Sequence, residues 1–138
     1  MIYVIVQFSC IVYLIINTQV ENLNPFSIAL IIFSIVLGLL ALFNIRPSNL
    51  NILPQLKDKH QLITSGVYRY IRHPMYTSVI LFCLALLITN VDQFSIVVML
   101  ILVIDLILKS NVEEMLLSKR FNSYLNYQKK TGKFLPFL

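Results

Sequence analysis

The side chains best suited to chemistry are concentrated in residues 66–76, GVYRYIRHPMY. This stretch combines two arginines, one histidine and three tyrosines, and it runs directly into an apolar segment. Pro74 favours the first turn of a helix, so His73 would lie at the N-cap position. The amides of residues 75–77 would then be unpaired donors, which form a seat for a carboxylate or phosphate. A plain helix start with aromatic and basic headgroup contacts explains the same pattern.

A second set of charged side chains falls on one face of a predicted helix, at Asp105, Lys109 and Glu113. Their spacing of four residues places them one above another. An acid inside an apolar helix is a functional candidate, although an ion pair between Asp105 and Lys109 accounts for it equally well. Adjacent helix residues project about 100° apart, so only one glutamate of the 113–114 pair joins this face. We assign Glu113 to it.

Several classes of enzyme find no support in the sequence. It has no nucleophile beside a base, no metal-ligand spacing and no glycine-rich phosphate loop. Hydrolase, kinase and metalloenzyme interpretations are therefore disfavoured, and no metal is expected. Cys10 and Cys83 both fall in apolar runs, which predicts two buried thiols and no disulfide framework.

The composition indicates an integral membrane protein. Of the 138 residues, 58% are hydrophobic and 12% are charged, and a soluble domain usually carries about twice that charge. The length corresponds to one domain, residues 1–138, with two helices in residues 1–44 and the chemically interesting part in 45–138. We predict an all-α fold with about four transmembrane helices, and the last two would form a tight antiparallel hairpin. The four apolar segments are residues 2–16, 26–43, 75–89 and 94–108.

The basic residues are distributed unevenly between the loops. Five of the 11 lysines and arginines lie between the second and third apolar segments, and the other six lie at residues 109–133. The other two loops have none. The positive-inside rule then places both termini and the long connector in the cytoplasm. Basic residues next to apolar helices suit lipid headgroups, so we expect membrane lipids as partners and no nucleic acid, despite a net charge of +5.

The polar segments predict a cover over the cytosolic ends of the helices. Residues 46–61 contain two prolines, so we expect an irregular connector along the membrane surface. Residues 112–125 carry apolar side chains at near-helical spacing, which predicts an interfacial amphipathic helix that continues the fourth apolar helix. Residues 131–132 would end this helix, and the apolar residues 134–138 would fold back onto the protein.

Two motifs, HQLITSGVY at residues 60–68 and RHPMY at 72–76, resemble those of the isoprenylcysteine carboxyl methyltransferase family. This family of integral membrane methyltransferases has bacterial members and extends, more distantly, to phospholipid N-methyltransferases. The resemblance covers roughly residues 55–138, and the first two helices match only as generic membrane spans. The later motif positions follow in the family's order at residues 113–114, Phe121, Tyr124, Tyr127 and residues 134–136.

The resemblance implies S-adenosylmethionine as the methyl donor, bound on the cytosolic face and partly capped by the C-terminal segment. It also implies that the start of the third helix holds the carboxylate of the donor, that Glu113 pairs with its ammonium and that apolar residues 62–63 flank its adenine. The implied catalytic residues are Lys109 and Glu113. The implied donor-binding residues are His60, Gln61, Leu62, Ile63, Tyr68, His73, Pro74, Met75, Tyr76 and Glu113.

The sequence departs from the family pattern at three places. Lys109 stands where the family usually has an arginine that holds the substrate carboxylate, and lysine keeps the charge but lacks the bidentate fork. Ser78 replaces a glycine. The spacing from Phe121 to Tyr124 is one residue short, with Asn122 in place of glycine.

The expected function is methyl transfer from S-adenosylmethionine to a lipid-like or prenylated membrane substrate, with a carboxylate as the acceptor. The chain would be a bacterial-type member in the inner membrane and would act on a lipophilic or lipidated substrate. The sequence does not predict its oligomeric state. An ionised carboxylate needs no base at pH 7. The alternatives are a phospholipid or amine N-methyltransferase, in which Glu113 or His73 would deprotonate the amine, and a non-catalytic membrane binding or scaffold protein.

Overall fold

The computed structural model describes residues 2–45 and 61–136 of the chain. These residues form five α-helices and two short 3₁₀ turns, Val20–Asn22 and Gly66–Arg69, with one isolated bridge between Ile71 and Gly132. No strand occurs in the described ranges, so the all-α prediction is confirmed there. The helices are α1 (Ile2–Ile16), α2 (Pro25–Asn44), α3 (Pro74–Thr89), α4 (Gln93–Arg120) and α5 (Tyr124–Lys130).

Two of the helices are long and apolar enough to cross a membrane. They are α2, with 20 residues and a mean hydropathy of 2.8, and α4, with 28 residues and 2.2. At about 1.5 Å per residue, α2 spans roughly 30 Å, which matches a typical hydrocarbon core. Its outward face exposes large apolar side chains, including Phe33 and Phe43, which suits contact with lipid. The apolar helices α1 and α3 are shorter, so the arrangement with four spans stays a prediction.

Local capping explains where the helices begin. Asn24 accepts a hydrogen bond from the Ser27 amide at 2.9 Å, and the Ser27 hydroxyl accepts one from the Asn24 amide, which forms a capping box around Pro25. Asp92 caps α4 by accepting the amides of Phe94 and Ser95. The predicted starts of α2 and α4 and the tight connection between α3 and α4 are therefore confirmed.

The helices pack in two pairs, α2 with α3 and α1 with α4, around a core between α1, α3 and α4. Small residues bring α2 and α3 together, because Ser78 donates to the Ser34 carbonyl at 2.7 Å beside Gly38. A Cβ atom on Gly38 would lie 2.7 Å from the Ser78 hydroxyl oxygen, so this close approach depends on glycine. The core includes Cys10, Leu14, Cys83, Leu86, Met99, Leu102 and Leu106, and both cysteines are free and buried, as expected.

The predicted continuous helix after the fourth apolar segment is wrong in one respect. The helix α4 does extend to Arg120, but Phe121 is extended and α5 begins at Tyr124. Residues 122–123 are Asn and Ser, which are weak helix formers, and the break turns Tyr124 inward, where it is only 1% exposed. The predicted surface connector lies at residues 46–61, of which all but residue 61 are outside the described residues.

Candidate active site between helices α3 and α4

The start of α3 meets the polar half of α4 at His73. The His73 side chain makes no capping hydrogen bond at the start of α3 and faces α4 instead. There its Nδ1 atom lies 3.7 Å from Glu113 Oε2, and its Nε2 atom lies 3.1 Å from Glu114 Oε1. Each ring nitrogen therefore faces one of two adjacent glutamates, so His73 and Glu113 lie together as predicted, and Glu114 joins them.

Glu114 forms a largely buried ion pair with Arg72, which the sequence did not predict. Arg72 Nε donates to Glu114 Oε1 at 2.8 Å, and both side chains are only 10% exposed. The Gln128 amide donates to the other glutamate oxygen, and Arg72 also donates to the carbonyls of Gln128 and Thr131. Arg72 is thus not a headgroup contact: it joins α3, α4 and the C-terminal segment. A buried pair of this kind becomes strongly destabilising when one partner is removed.

Glu113 and Lys109 line the neighbouring face of α4. Glu113 accepts a hydrogen bond from the Tyr76 hydroxyl, and the Lys109 ammonium lies 5.0 Å from the centre of the Tyr76 ring. Lys109 donates to the Gln7 side-chain oxygen at 3.0 Å, so the direct ion pair with Asp105 that the spacing allowed does not form. Among the described residues, the buried Asp105 Oδ2 atom has no hydrogen-bond partner.

The C-terminal segment folds back over His73, as predicted. The backbone amides of Arg72 and His73 donate to the carbonyls of Gly132 and Lys133 at 2.8 and 3.1 Å. The Thr77 hydroxyl donates to the Phe134 carbonyl at 2.7 Å, and the Phe134 ring lies 6.0 Å from the His73 ring. These bonds hold the segment as a cap over one side of the imidazole.

The predicted seat of unpaired amides at the start of α3 is largely wrong. The amides of Tyr76 and Thr77 both donate to the His73 carbonyl at 3.1 Å. The tight first turn satisfies these donors within the helix, so they are not available to an anion. The expectation that these two amides hold the carboxylate of a methyl donor is therefore not supported.

The remaining predicted donor-binding residues have different positions. His60 lies outside the described residues, Gln61 is exposed, and Leu62 and Ile63 are half-buried in the irregular segment before α3. Pro74 is buried and Met75 is half-buried at the start of α3. Contact of these residues with a methyl donor stays a prediction.

Tyr68 is buried beneath the C-terminal helix. Its carbonyl accepts a hydrogen bond from the Tyr127 hydroxyl. Burial, followed by the negative charge of Glu113, raises the pKa of Tyr68 to about 12, so its phenol stays neutral at pH 7. Burial likewise raises the pKa of Tyr127 and lowers the pKa of Lys133. The contact of Tyr68 with a methyl donor stays a prediction.

Gly66 gives the connector its sharp turn before Tyr68. It adopts a φ of +61°, and a Cβ atom there would collide with the Asn44 side chain at the end of α2. A glycine is therefore required at this turn for both conformational and steric reasons.

The fold and site define an all-helical protein with membrane-type helices and a charged cluster at one end of the bundle. Residues 23–124 match the phospholipid methyltransferase family (PEMT). The match covers more than half of the chain, so the protein belongs to this family, which is part of the superfamily of membrane methyltransferases that the motifs resemble. A comparison with curated proteins gives no match.

The family assignment gives the class of activity. The protein is a membrane methyltransferase, and members of this family generally use S-adenosylmethionine and act on lipid-like substrates. The resemblance of residues 60–76 to a membrane methyltransferase family is thereby confirmed at the level of the superfamily.

Proposed function

We propose that the protein binds S-adenosylmethionine beside His73 and Glu113 and methylates an acceptor group carried by a lipid-like molecule. The observation that supports this most directly is the convergence of His73 with both glutamates of α4 under the cap formed by residues 131–134. In sequence the two groups are about 40 residues apart. Their convergence in one capped, partly buried place is the property expected of a site for a small zwitterion.

The residues present fit the polar end of the donor. The Glu113 side chain is 21% exposed, whereas the His73 side chain is 7% exposed. A carboxylate that is fixed by Tyr76 and still reachable from outside can pair with an ammonium group. Glu113 is therefore the residue that would hold the donor's ammonium, and Glu114, which already has Arg72 as its partner, would hold His73 in position.

When bound, S-adenosylmethionine supplies a methyl group on a sulfonium, which reacts by in-line displacement. Because such a reaction mainly requires alignment and exclusion of water, the residues around His73 would act chiefly by positioning. Phe134 covers the imidazole, and the ring of Tyr76 stacks parallel to it with centroids 5.4 Å apart. These rings would keep water from the reacting groups.

Lys109 supports a carboxylate acceptor. Its ammonium is buried at 3% exposure and is held by Gln7 and the Tyr76 ring, close to the predicted donor site. A fixed cation here would attract an acceptor carboxylate and hold it next to the methyl group. In this function Lys109 takes the place of the family arginine.

Asp105 and the family assignment support an amine acceptor instead. The Asp105 carboxylate has one oxygen without a partner among the described residues, and the matching family is described as phospholipid methyltransferase. A carboxylate can bind an ammonium group or accept its proton. A phospholipid or amine N-methyltransferase is therefore our second candidate.

Donor binding tests the site. Calorimetric titration of the purified protein with S-adenosylmethionine should show binding that Glu113→Gln weakens by roughly 10- to 100-fold, the range for losing a charge-assisted hydrogen bond. Glu21→Gln, which removes an exposed acid at the opposite end, should leave the affinity unchanged. An absence of donor binding in the unaltered protein would favour the non-catalytic scaffold.

The pH dependence of methyl transfer distinguishes the two acceptors. Isotope-labelled donor would be incubated with membrane lipid extracts, and the labelled products would be identified by mass spectrometry. A carboxylate is fully ionised above about pH 6, so its methylation rate should be flat from pH 6 to 9, whereas an alkylamine has a pKa of about 10 and its rate should rise through this range. A labelled amine product would refute the carboxylate assignment.

We also propose that α1 to α4 all span the inner membrane of a bacterium, with both termini and the site on the cytoplasmic side. The distribution of basic residues supports this orientation. A lipophilic substrate would then reach Lys109 from the bilayer, while the donor arrives from the cytosol.

A further inference from the structure

A groove beside the His73 cluster lies where residues 64–70 meet the C-terminal helix. It is an open groove with a volume of about 470 Å³, and its walls come from both segments. We call it the basic groove, and it is lined by Thr64, Arg69, Tyr70, Tyr127, Lys130 and Thr131. A cavity of this size falls in the range of small-molecule sites.

The walls of the basic groove are fixed by hydrogen bonds. The Gly132 amide donates to the Tyr70 carbonyl at 3.2 Å, directly behind Thr131, and the Tyr127 hydroxyl donates to the Tyr68 carbonyl. These bonds tie the connector to α5 and its following residues on both sides of the groove. The backbone on both sides of the groove is therefore held in place, and the side chains of Arg69 and Lys130 are exposed there.

The charges of the groove are not neutralised by the described protein. None of the ion pairs within residues 2–45 and 61–136 involves Arg69 or Lys130. The two acids at this end of α4 are engaged elsewhere, since Glu114 pairs with Arg72 and Glu113 accepts the Tyr76 hydroxyl. Two basic residues in one lining, to which the described residues add no carboxylate, favour an anionic ligand.

The polar groups of the groove suit a phosphate. Arg69 can present a planar fork of N–H donors and Lys130 a point charge, and two threonines, Thr64 and Thr131, belong to the same lining. The rings of Tyr70 and Tyr127 add an amphipathic wall of the kind found at the headgroup level of membranes. The connector runs straight from this groove into the apolar helix α3, so a phosphate on a lipid would meet the groove at the membrane boundary.

We propose that the basic groove binds a phosphate group, carried by an anionic membrane phospholipid. A bound phosphate would bridge Arg69 and Lys130 and so join the connector to the C-terminal helix. The groove adjoins the predicted donor site, since Thr131 belongs to the cap over His73 and Thr64 follows predicted donor-binding residues 62–63. Its two cations, Arg69 and Lys130, are not among the predicted donor-binding residues.

Native mass spectrometry of the whole protein in a non-ionic detergent tests the proposal. The protein would be titrated with short-chain phosphatidylglycerol, with inorganic phosphate and with a diacylglycerol that lacks phosphate. We expect one tightly bound phosphatidylglycerol, and weaker binding of the diacylglycerol. The double variant Arg69→Gln/Lys130→Gln should weaken the lipid affinity roughly 30-fold, because each cation near a membrane surface contributes about fivefold.

The matched control is Lys119→Gln/Lys129→Gln, which removes the same charge from two exposed lysines outside the groove lining. A discrete site predicts a change in this control of less than about threefold, whereas diffuse attraction between basic residues and lipid predicts equal losses in both double variants. Equal losses would overturn the proposal.

Two further outcomes identify the ligand. Inorganic phosphate that binds as tightly as the lipid, and is lost in the groove variant, would support the phosphate site and assign it to a soluble ligand. If S-adenosylmethionine displaces the lipid and the groove variant loses donor binding, the groove belongs to the methyl donor and the proposal is wrong.

Discussion

The two ends of the helical bundle are both polar, but they differ in the kind of polar group. At the end formed by the α1–α2 and α3–α4 connections, Asn17 donates to Asp92 at 2.7 Å and to Ser95 at 2.6 Å, and the Asn22 amide donates to the Thr89 carbonyl. Most of these groups are amides, hydroxyls and backbone carbonyls, and Asp92 also caps α4. Each bond has an evident structural purpose, since it closes a connection or begins a helix.

The opposite end uses ionisable groups beyond what the connections require. His73 faces two glutamates, Arg72 is buried against Glu114, and Lys109 is buried next to Tyr76. Burying charges costs free energy that hydrophobic residues would not require. The comparison therefore separates a network that closes the helix connections from a buried charged cluster, to which we assign the proposed reaction.

The largest expected effect comes from Glu114, the residue of the charged end with the most partners. Glu114→Gln should lower the free energy of unfolding by about 3–5 kcal/mol, because it leaves the buried Arg72 guanidinium without its counter-ion. Denaturant titration in mixed detergent–lipid micelles would measure the change. Glu113→Gln is the matched control, since it alters the adjacent acid but keeps the Arg72 pair. A similar loss in both variants would show that Glu114 has no special structural role.

The sequence predicted the location of this cluster better than its members. The expectation that His73 and Glu113, 40 residues apart, lie together came from the family resemblance, which assigned both residues to the methyl donor. The choice of Glu113 alone was based on the α4 face that it shares with Lys109. Because His73 lies between the two glutamates, one of its ring nitrogens faces Glu113 and the other faces Glu114. The spacing of residues along α4 alone does not predict that one side chain from α3 contacts both.

Arg72 and the break before α5 were missed for a related reason. An arginine beside tyrosines at an apolar boundary ordinarily contacts headgroups, and only the fold shows the C-terminal carbonyls of Gln128 and Thr131 beside it. The Asn122-Ser123 pair was an available signal for the helix break. The α-helices themselves follow from apolar runs and from caps at Asn24 and Asp92, which are local properties of the sequence.

Substitution of Lys109 should have an intermediate effect. It sharpens the comparison because it separates the affinity for the methyl donor from the rate of turnover. If Lys109 holds an acceptor carboxylate, Lys109→Met should lower kcat/KM roughly 10- to 100-fold and leave the affinity for S-adenosylmethionine almost unchanged. Lys109→Arg should retain most of the turnover, because it restores the charge and adds the bidentate fork. A variant that loses donor affinity in proportion to turnover would place Lys109 on the donor and not on the acceptor.

The smallest effect should follow from disrupting the end formed by the α1–α2 and α3–α4 connections. Asn17→Ala removes the hydrogen bonds to Asp92 and Ser95, but Ser95 still donates to Asp92 at 2.5 Å, so the acid keeps a partner. The free energy of unfolding should fall by about 1–2 kcal/mol, the usual cost of losing such bonds. Steady-state kinetics should give an unchanged kcat/KM, because Asn17 lies at the end of the bundle away from His73. A fall in kcat/KM without a fall in stability would mean that the end with the α1–α2 and α3–α4 connections also takes part in the reaction, and the distinction between the two ends would be lost.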